Sequence, residues 1–211
     1  MKTNMFEASK FIKWSVLGDG CVAYGTHNTD AHFSISRSEQ HTDYLDVIEG
    51  KLKDIPNVAV TRATYVRKDN GKTVYSLRTN SHPLFTRIRE RQYIENRRVV
   101  DPHMLTTLDW EALAFLYQDD GSLCYNNRGY PIVRLSTCAY SYFEQQALRR
   151  AAVEKLGIVL NVNKASRGLY QLNLATKDHD AFFEGVSPYV VSSYLYKLPG
   201  SLQEGAPKLS A

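Results

Sequence analysis

The chain has 211 residues, 43% hydrophobic and 23% charged, which is enough apolar material for one sizeable domain or two small ones in tandem. Three cysteines without C-x-x-C spacing and six histidines without an H-x-x-x-H pair argue against a disulfide framework or a zinc site. No apolar run reaches membrane-spanning length and charged residues interrupt the N-terminal segment, so a soluble intracellular protein with no membrane partner is expected; the net charge of +4 suits a polyanion without demanding one.

Along the chain, "FIKWSVLGDGCVAY" (Phe11 to Tyr24) reads as an apolar helix closed by Gly-Asp-Gly. A polar loop, "GTHNTD", precedes an alternating strand, "AHFSISRSE", and Thr42 stands as N-cap of the helix "TDYLDVIEGKL". A strand pair follows, turning at Asp69-Asn70-Gly71, and then a short helix, "HPLFTRIRERQYI".

The same order then begins again. "LAFLYQDDGSL" (Leu113 to Leu123) is a second apolar helix ending in carboxylates, with Asp109 as its natural N-cap. A strand "GYPIVRLSTCA" comes next, then a helix stopping at Gly157, a strand pair turning near Ser166-Arg167-Gly168, and the helix "HDAFFEGVSPYV". Each half therefore reads α-β-β-α-β-β-α, with the boundary in "ENRRVVDPHMLTTLD". The expected repeats are 1–100 and 101–200, followed by a flexible tail at 201–211.

One Asp-Gly at a helix end is ordinarily a structural stop. Two at equivalent places in a duplicated chain carry more meaning. A pseudo-twofold arrangement sets the two helices side by side, and their terminal carboxylates meet at the axis. Like charges that close need a positive partner, and a divalent cation with carboxylate and water ligands supplies it.

"LAFLYQDDG" resembles the LAGLIDADG motif of homing endonucleases, and "IKWSVLGDG" resembles its partner copy. The resemblance runs from about Phe6 to Pro199 and leans toward the group I intron branch through "RLSTCAYS" and "YLYKLP". It implies an α+β fold in which two pseudo-symmetric units set antiparallel β-saddles around the central motif helices. It also implies double-strand cleavage of a long, asymmetric DNA target by metal-dependent hydrolysis, performed by a monomer with no obligate protein partner, and promoting mobility of the host intron or gene. A non-cleaving relative, a splicing maturase or regulator, is the alternative, with intron RNA as a further partner. Mg²⁺ or Mn²⁺ would be the working ion, with Ca²⁺ binding without supporting cleavage.

By the same resemblance, the catalytic residues are Asp19, Asp120, Arg98 and Lys197, and the metal set is Asp19 and Asp120 with the preceding positions, Gly18 and Asp119. Gly18 brings no side chain to that duty. Arg98, unlike a lysine, is suited to electrostatics over proton abstraction. Lys13 and Trp14 stand where the family favours small residues, which shifts close helix contact toward Ala8 and Ser15.

Base and phosphate contacts call for Arg, Asn, Gln, Ser and Lys on the strands. The candidates are Ser36, Arg37, Arg67, Lys68, Lys72 and Arg78 in the first half. In the second half they are Arg134, Ser136, Asn161, Asn163, Lys164, Arg167, Gln171 and Asn173. The two sets differ in nearly every residue, which is what predicts an asymmetric target.

Overall fold

The computed structural model describes residues 5–203. Its first repeat consists of helix α1 (Met5–Leu17), strands β1 (Cys21–Tyr24) and β2 (Ala31–Ser38), helix α2 (Thr42–Lys53), strands β3 (Val60–Val66) and β4 (Thr73–Thr79), and helix α3 (Pro83–Gln92). A two-strand ribbon, β5 (Tyr93–Ile94) and β6 (Arg97–Arg98), and one helical turn, α4 (Pro102–Leu105), lead onward. The second repeat has α5 (Trp110–Asp120), β7 (Gly121–Tyr125), β8 (Pro131–Leu135), α6 (Tyr142–Leu156), β9 (Leu160–Lys164), β10 (Tyr170–Leu174) and α7 (His179–Val186). A 3-10 segment, Ser192–Lys197, and the short α8 (Gly200–Gln203) close the described chain. The expected tail thus opens as a turn of helix, and residues 204–211 lie outside the described residues.

Local chemistry sets the helix ends. Asp109 caps α5 by accepting from the Ala112 N–H at 2.8 Å. Ser141 and Glu144 form a capping box on α6, whose other end stops at Gly157 in the left-handed region (φ 70°). Thr42 does not cap α2: a 3-10 turn, Glu39–His41, leads straight into that helix, so Thr42 is already its first residue.

The two four-stranded antiparallel sheets have matching orders, β1-β2-β4-β3 and β7-β8-β10-β9. Side chains alternate across each sheet with the period of two. Phe33, Ile35 and Leu77 in the first, and Val133, Leu135 and Leu172 in the second, are buried in the core. The other face is open and polar. One row across the first sheet runs Cys21, Ser34, Arg78, Thr61; the corresponding row in the second runs Ser122, Arg134, Asn173, Asn161.

Helices α1 and α5 pack together at the centre. Phe11 meets Phe115 edge to face, with ring centroids 4.9 Å apart. Ala8 and Ser15 are buried, as the sequence anticipates, but Trp14 is buried as well. Its indole N–H donates to the Thr107 hydroxyl at 3.2 Å, in the segment leading to α5. The helices close up where they end: a Cβ added at Gly18 would fall on the Asp119 side chain. No described helix is long and apolar enough to cross a membrane.

Candidate active site and nucleic-acid interface

The two motif helices deliver three carboxylates to one place. Asp19 follows α1 and is exposed, while Asp119 and Asp120 end α5. The backbone N–H of Asp19 donates to Asp119 Oδ2 at 3.1 Å, which ties the two helix tips together. Burial raises the Asp120 carboxyl to about 7, with Asp19 and Asp119 pushing the same way. Burial likewise raises Asp119 to about 6, against the pull of Arg37.

The two basic residues predicted at the close of each half come to this cluster. Arg98 donates from Nη1 to the Gly18 carbonyl, and its charge favours ionised Asp120. It is placed by the β5–β6 ribbon, whose tight turn holds Glu95 (φ 49°) and Asn96 (φ 63°) in the left-handed region. Arg97 points elsewhere and pairs with Glu144 at 3.1 Å. Lys197 is buried and donates to the carbonyls of Gln118 (2.7 Å) and Tyr117 (3.2 Å). Burial, aided by Arg37, lowers its ammonium to about 8.

Two site residues escape the sequence reading. Tyr44 of α2 donates its hydroxyl to Asp119 Oδ1 at 2.8 Å. Tyr140 donates to the Leu17 carbonyl at 2.5 Å, reaching from the second half to the last residue of α1. Nothing local in the sequence marks either residue, because each meets its partner across the halves.

Arg37 differs most from expectation. It lies in phase with Ala31, Phe33 and Ile35 on β2, so its side chain goes to the core face. There it pairs with Asp119 and, at 3.1 Å, with Asp19. A buried arginine engaged with two carboxylates is not displayed to a groove. Period-two alternation carried this signal, since Ser36 and Arg37, as neighbours, cannot share a face.

Among the other predicted contacts, Ser36 and Arg78 project from the open face of the first sheet. Arg134, Asn161, Asn163, Gln171 and Asn173 share the open face of the second. Arg67, Lys68 and Lys72 sit in the exposed β3–β4 loop, where Arg67 pairs with Asp69 at 2.7 Å. Ser136 and Arg167 are exposed, Arg167 at a left-handed turn position (φ 59°). Lys164 is exposed at the end of β9 but in phase with Val162, off the row of asparagines.

The carboxylate oxygens of Asp19 and Asp120 suit a hard divalent cation, and the charge crowded at the helix tips would be relieved by one. Asp119 is less available: Arg37 and Tyr44 occupy one oxygen and the Asp19 amide the other. The Gly18 carbonyl is similarly engaged, by Arg98. Among the described residues no group of three or more His, Cys, Asp or Glu side chains is arranged to hold a metal ion. An ion here would complete its shell with oxygens from outside those side chains.

A model of the LAGLIDADG DNA endonuclease family matches residues 10–182. No curated protein sequence matches significantly. Among solved structures, the homing endonuclease I-WcaI bound to its DNA recognition sequence is similar to this chain with a TM-score of 0.74 and 16% identity, over 91% of this chain and 86% of that one. I-DmoI in complex with DNA and Mn matches with a TM-score of 0.51 and 16% identity, over 87% of this chain and 97% of that one. I-DmoI in complex with DNA and Ca matches with a TM-score of 0.51 and 15% identity, over 93% and 95%. With the duplicated αββαββα order, the paired helix tips and the family match across most of its length, the chain belongs to the LAGLIDADG DNA endonuclease family.

Proposed function

We propose that the protein is a site-specific homing endonuclease that makes a double-strand break in a long, asymmetric DNA target and thereby promotes mobility of its host intron or gene. The observation that carries this reading is that Asp19 and Asp120 lie close enough at the tips of the paired helices to act on one another, with an open-faced polar sheet in each repeat. A monomer suffices, because one chain contains both halves. Neighbours solved with DNA and Mn or Ca support a divalent ion, with Mg²⁺ or Mn²⁺ as the working ion.

Asp19 and Asp120 would hold the ion. The chemistry it would supply when bound is polarisation of a phosphoryl oxygen and activation of a water. Arg98, fixed by the Gly18 carbonyl, stays protonated and sets a permanent positive charge beside the scissile region. Lys197, fixed on the Gln118 carbonyl with its ammonium lowered to about 8, can hold or release a proton near neutral pH. Tyr140 and Tyr44 position backbone and carboxylate without entering the chemistry. Along the open faces, Arg78 and Arg134 are suited to guanine, and Asn161, Asn163, Gln171 and Asn173 to adenine.

Incubating the purified chain and Mg²⁺ with a randomised duplex library, then sequencing the cut ends, tests this reading. One recurrent asymmetric site with staggered ends is the expected result. Selective capture of a site with no cut ends would instead favour a non-cleaving nucleic-acid binder, of which a maturase acting on intron RNA is the nearest type.

A further inference from the structure

The two aspartates that end the motif helices have unequal company. Asp19 Oδ2 lies 3.1 Å from Arg37 Nη1, and the same guanidinium pairs with Asp119 through Nη2. Only 6% of the Arg37 side chain and none of the Asp119 side chain is exposed. Tyr44 completes the cage: it lies under the guanidinium, with Cζ 4.8 Å from the ring centroid, while its hydroxyl donates to Asp119.

The pseudo-symmetric positions carry no such ion pair: Arg98 and Lys197 act on Asp120 through their charge while donating to backbone carbonyls. Cys21 and Ser122 each stand two residues past the motif aspartate, and they pair with Ser34 and Arg134. Three residues further on, Arg37 therefore corresponds to Thr137, a buried neutral residue hydrogen-bonded to Gln145 at 3.1 Å. Asp119 corresponds to Gly18. The first half contributes the buried positive charge and the second half the carboxylate that holds it, and neither has a counterpart at its pseudo-symmetric position.

We propose that Arg37, held in place by Asp119, is a positioning residue that acts as a built-in cation on Asp19, so that Asp19 binds the divalent ion more weakly than Asp120 does. The inference rests on the reading of Asp19 and Asp120 as ion-holding residues. A guanidinium on Asp19 and an incoming divalent ion compete for the same negative charge. Asp119 limits that competition by sharing the guanidinium. The two residues therefore act on ion affinity in opposite directions.

The opposition gives a test independent of cleavage. Mn²⁺ binding to the full chain without DNA is followed by electron paramagnetic resonance, and D19N and D120N assign the two classes of bound ion. Arg37→Met, which uncovers Asp19 and Asp119 together, should tighten the Asp19 class by about tenfold, within the range for coupled neighbouring charges. D119N, which leaves Arg37 wholly on Asp19, should weaken the same class by a similar factor. The double variant R37M/D119N should return near the wild-type value, and R37K should stay near it. If R37M fails to fold, D119N and the double variant still decide: weakening by the first must be undone by the second.

Equal ion affinity at Asp19 and Asp120 in the wild type overturns the inference. So does a shift in the same direction for R37M and D119N, the mark of a merely structural pair. Mn²⁺ binding that survives unchanged in both D19N and D120N would remove the underlying metal reading as well. Loss in D19N with no response to D119N would sink this inference alone.

Discussion

The Lys197 ammonium donates to the Gln118 carbonyl at 2.7 Å, so a residue at the end of the second repeat holds the last turn of the helix bearing Asp120. It is buried beside the carboxylates and lies on neither sheet. Lys197→Met should therefore slow cleavage while leaving sequence preference unchanged. Single-turnover rates and binding to a panel of mismatched targets measure the two effects separately. Relaxed preference at a normal cutting rate would place the lysine on the reading surface instead.

Arg78 and Lys68 should differ in kind. Arg78 projects from the middle of the open row of the first sheet, whereas Lys68 sits in the β3–β4 loop. Phosphate contacts give salt-dependent affinity and base contacts give discrimination. Arg78→Ala should relax preference at one position by about 1–3 kcal/mol if its contact is bidentate. Lys68→Ala should weaken all targets alike and flatten the salt dependence of binding. Fluorescence anisotropy over a range of salt concentrations separates them.

Trp14 should matter to stability far more than its departure from the family pattern implies. It is fully buried between the halves and donates to Thr107. Trp14→Ala should cost about 3–5 kcal/mol, the usual range for deleting a buried tryptophan side chain. Urea denaturation gives the value; a loss below 1 kcal/mol would mean that the interface closes over the gap.

The contribution of His179 to stability should fall in mild acid. Burial lowers the pKa of His179, although Asp178 and Asp180 oppose the shift, and its buried Nε2 has no hydrogen-bond partner. A lowered folded pKa means that the unfolded chain takes up the proton first. The stabilisation is thus complete above the unfolded value of about 6.5 and is lost as pH falls through the folded one. The raised carboxyls of Asp119 and Asp120 act in the opposite sense, so the difference between wild type and His179→Phe isolates the histidine. Across melting curves between pH 5 and 8, the variant should gain relative to wild type toward acid; a difference that does not change with pH would contradict the assignment.

Much of this architecture is legible in the residues because local signals agree with the fold. Asp109 reads as a cap and Gly157 as a stop, and both do that work. The duplicated aspartates at helix ends find each other because the helices carrying them pack along apolar faces. Arg37 has the residue type of a groove contact, but its spacing from Phe33 and Ile35 puts it on the core face. The β5–β6 ribbon was hidden because Glu95 and Asn96 hold the two positive φ angles that Asn-Gly would advertise. Tyr44 and Tyr140 could not be found locally, since each acts on the end of a helix in the other half.

The central claim is that Asp19 and Asp120 each supply an indispensable carboxylate to double-strand cleavage. The most direct measurement compares wild type, Asp19→Asn and Asp120→Asn on a supercoiled plasmid bearing the selected target, with Mg²⁺ present and binding checked in parallel. The account predicts linear product from the wild type only, with target binding retained in both variants. Full linearisation by either variant would contradict it.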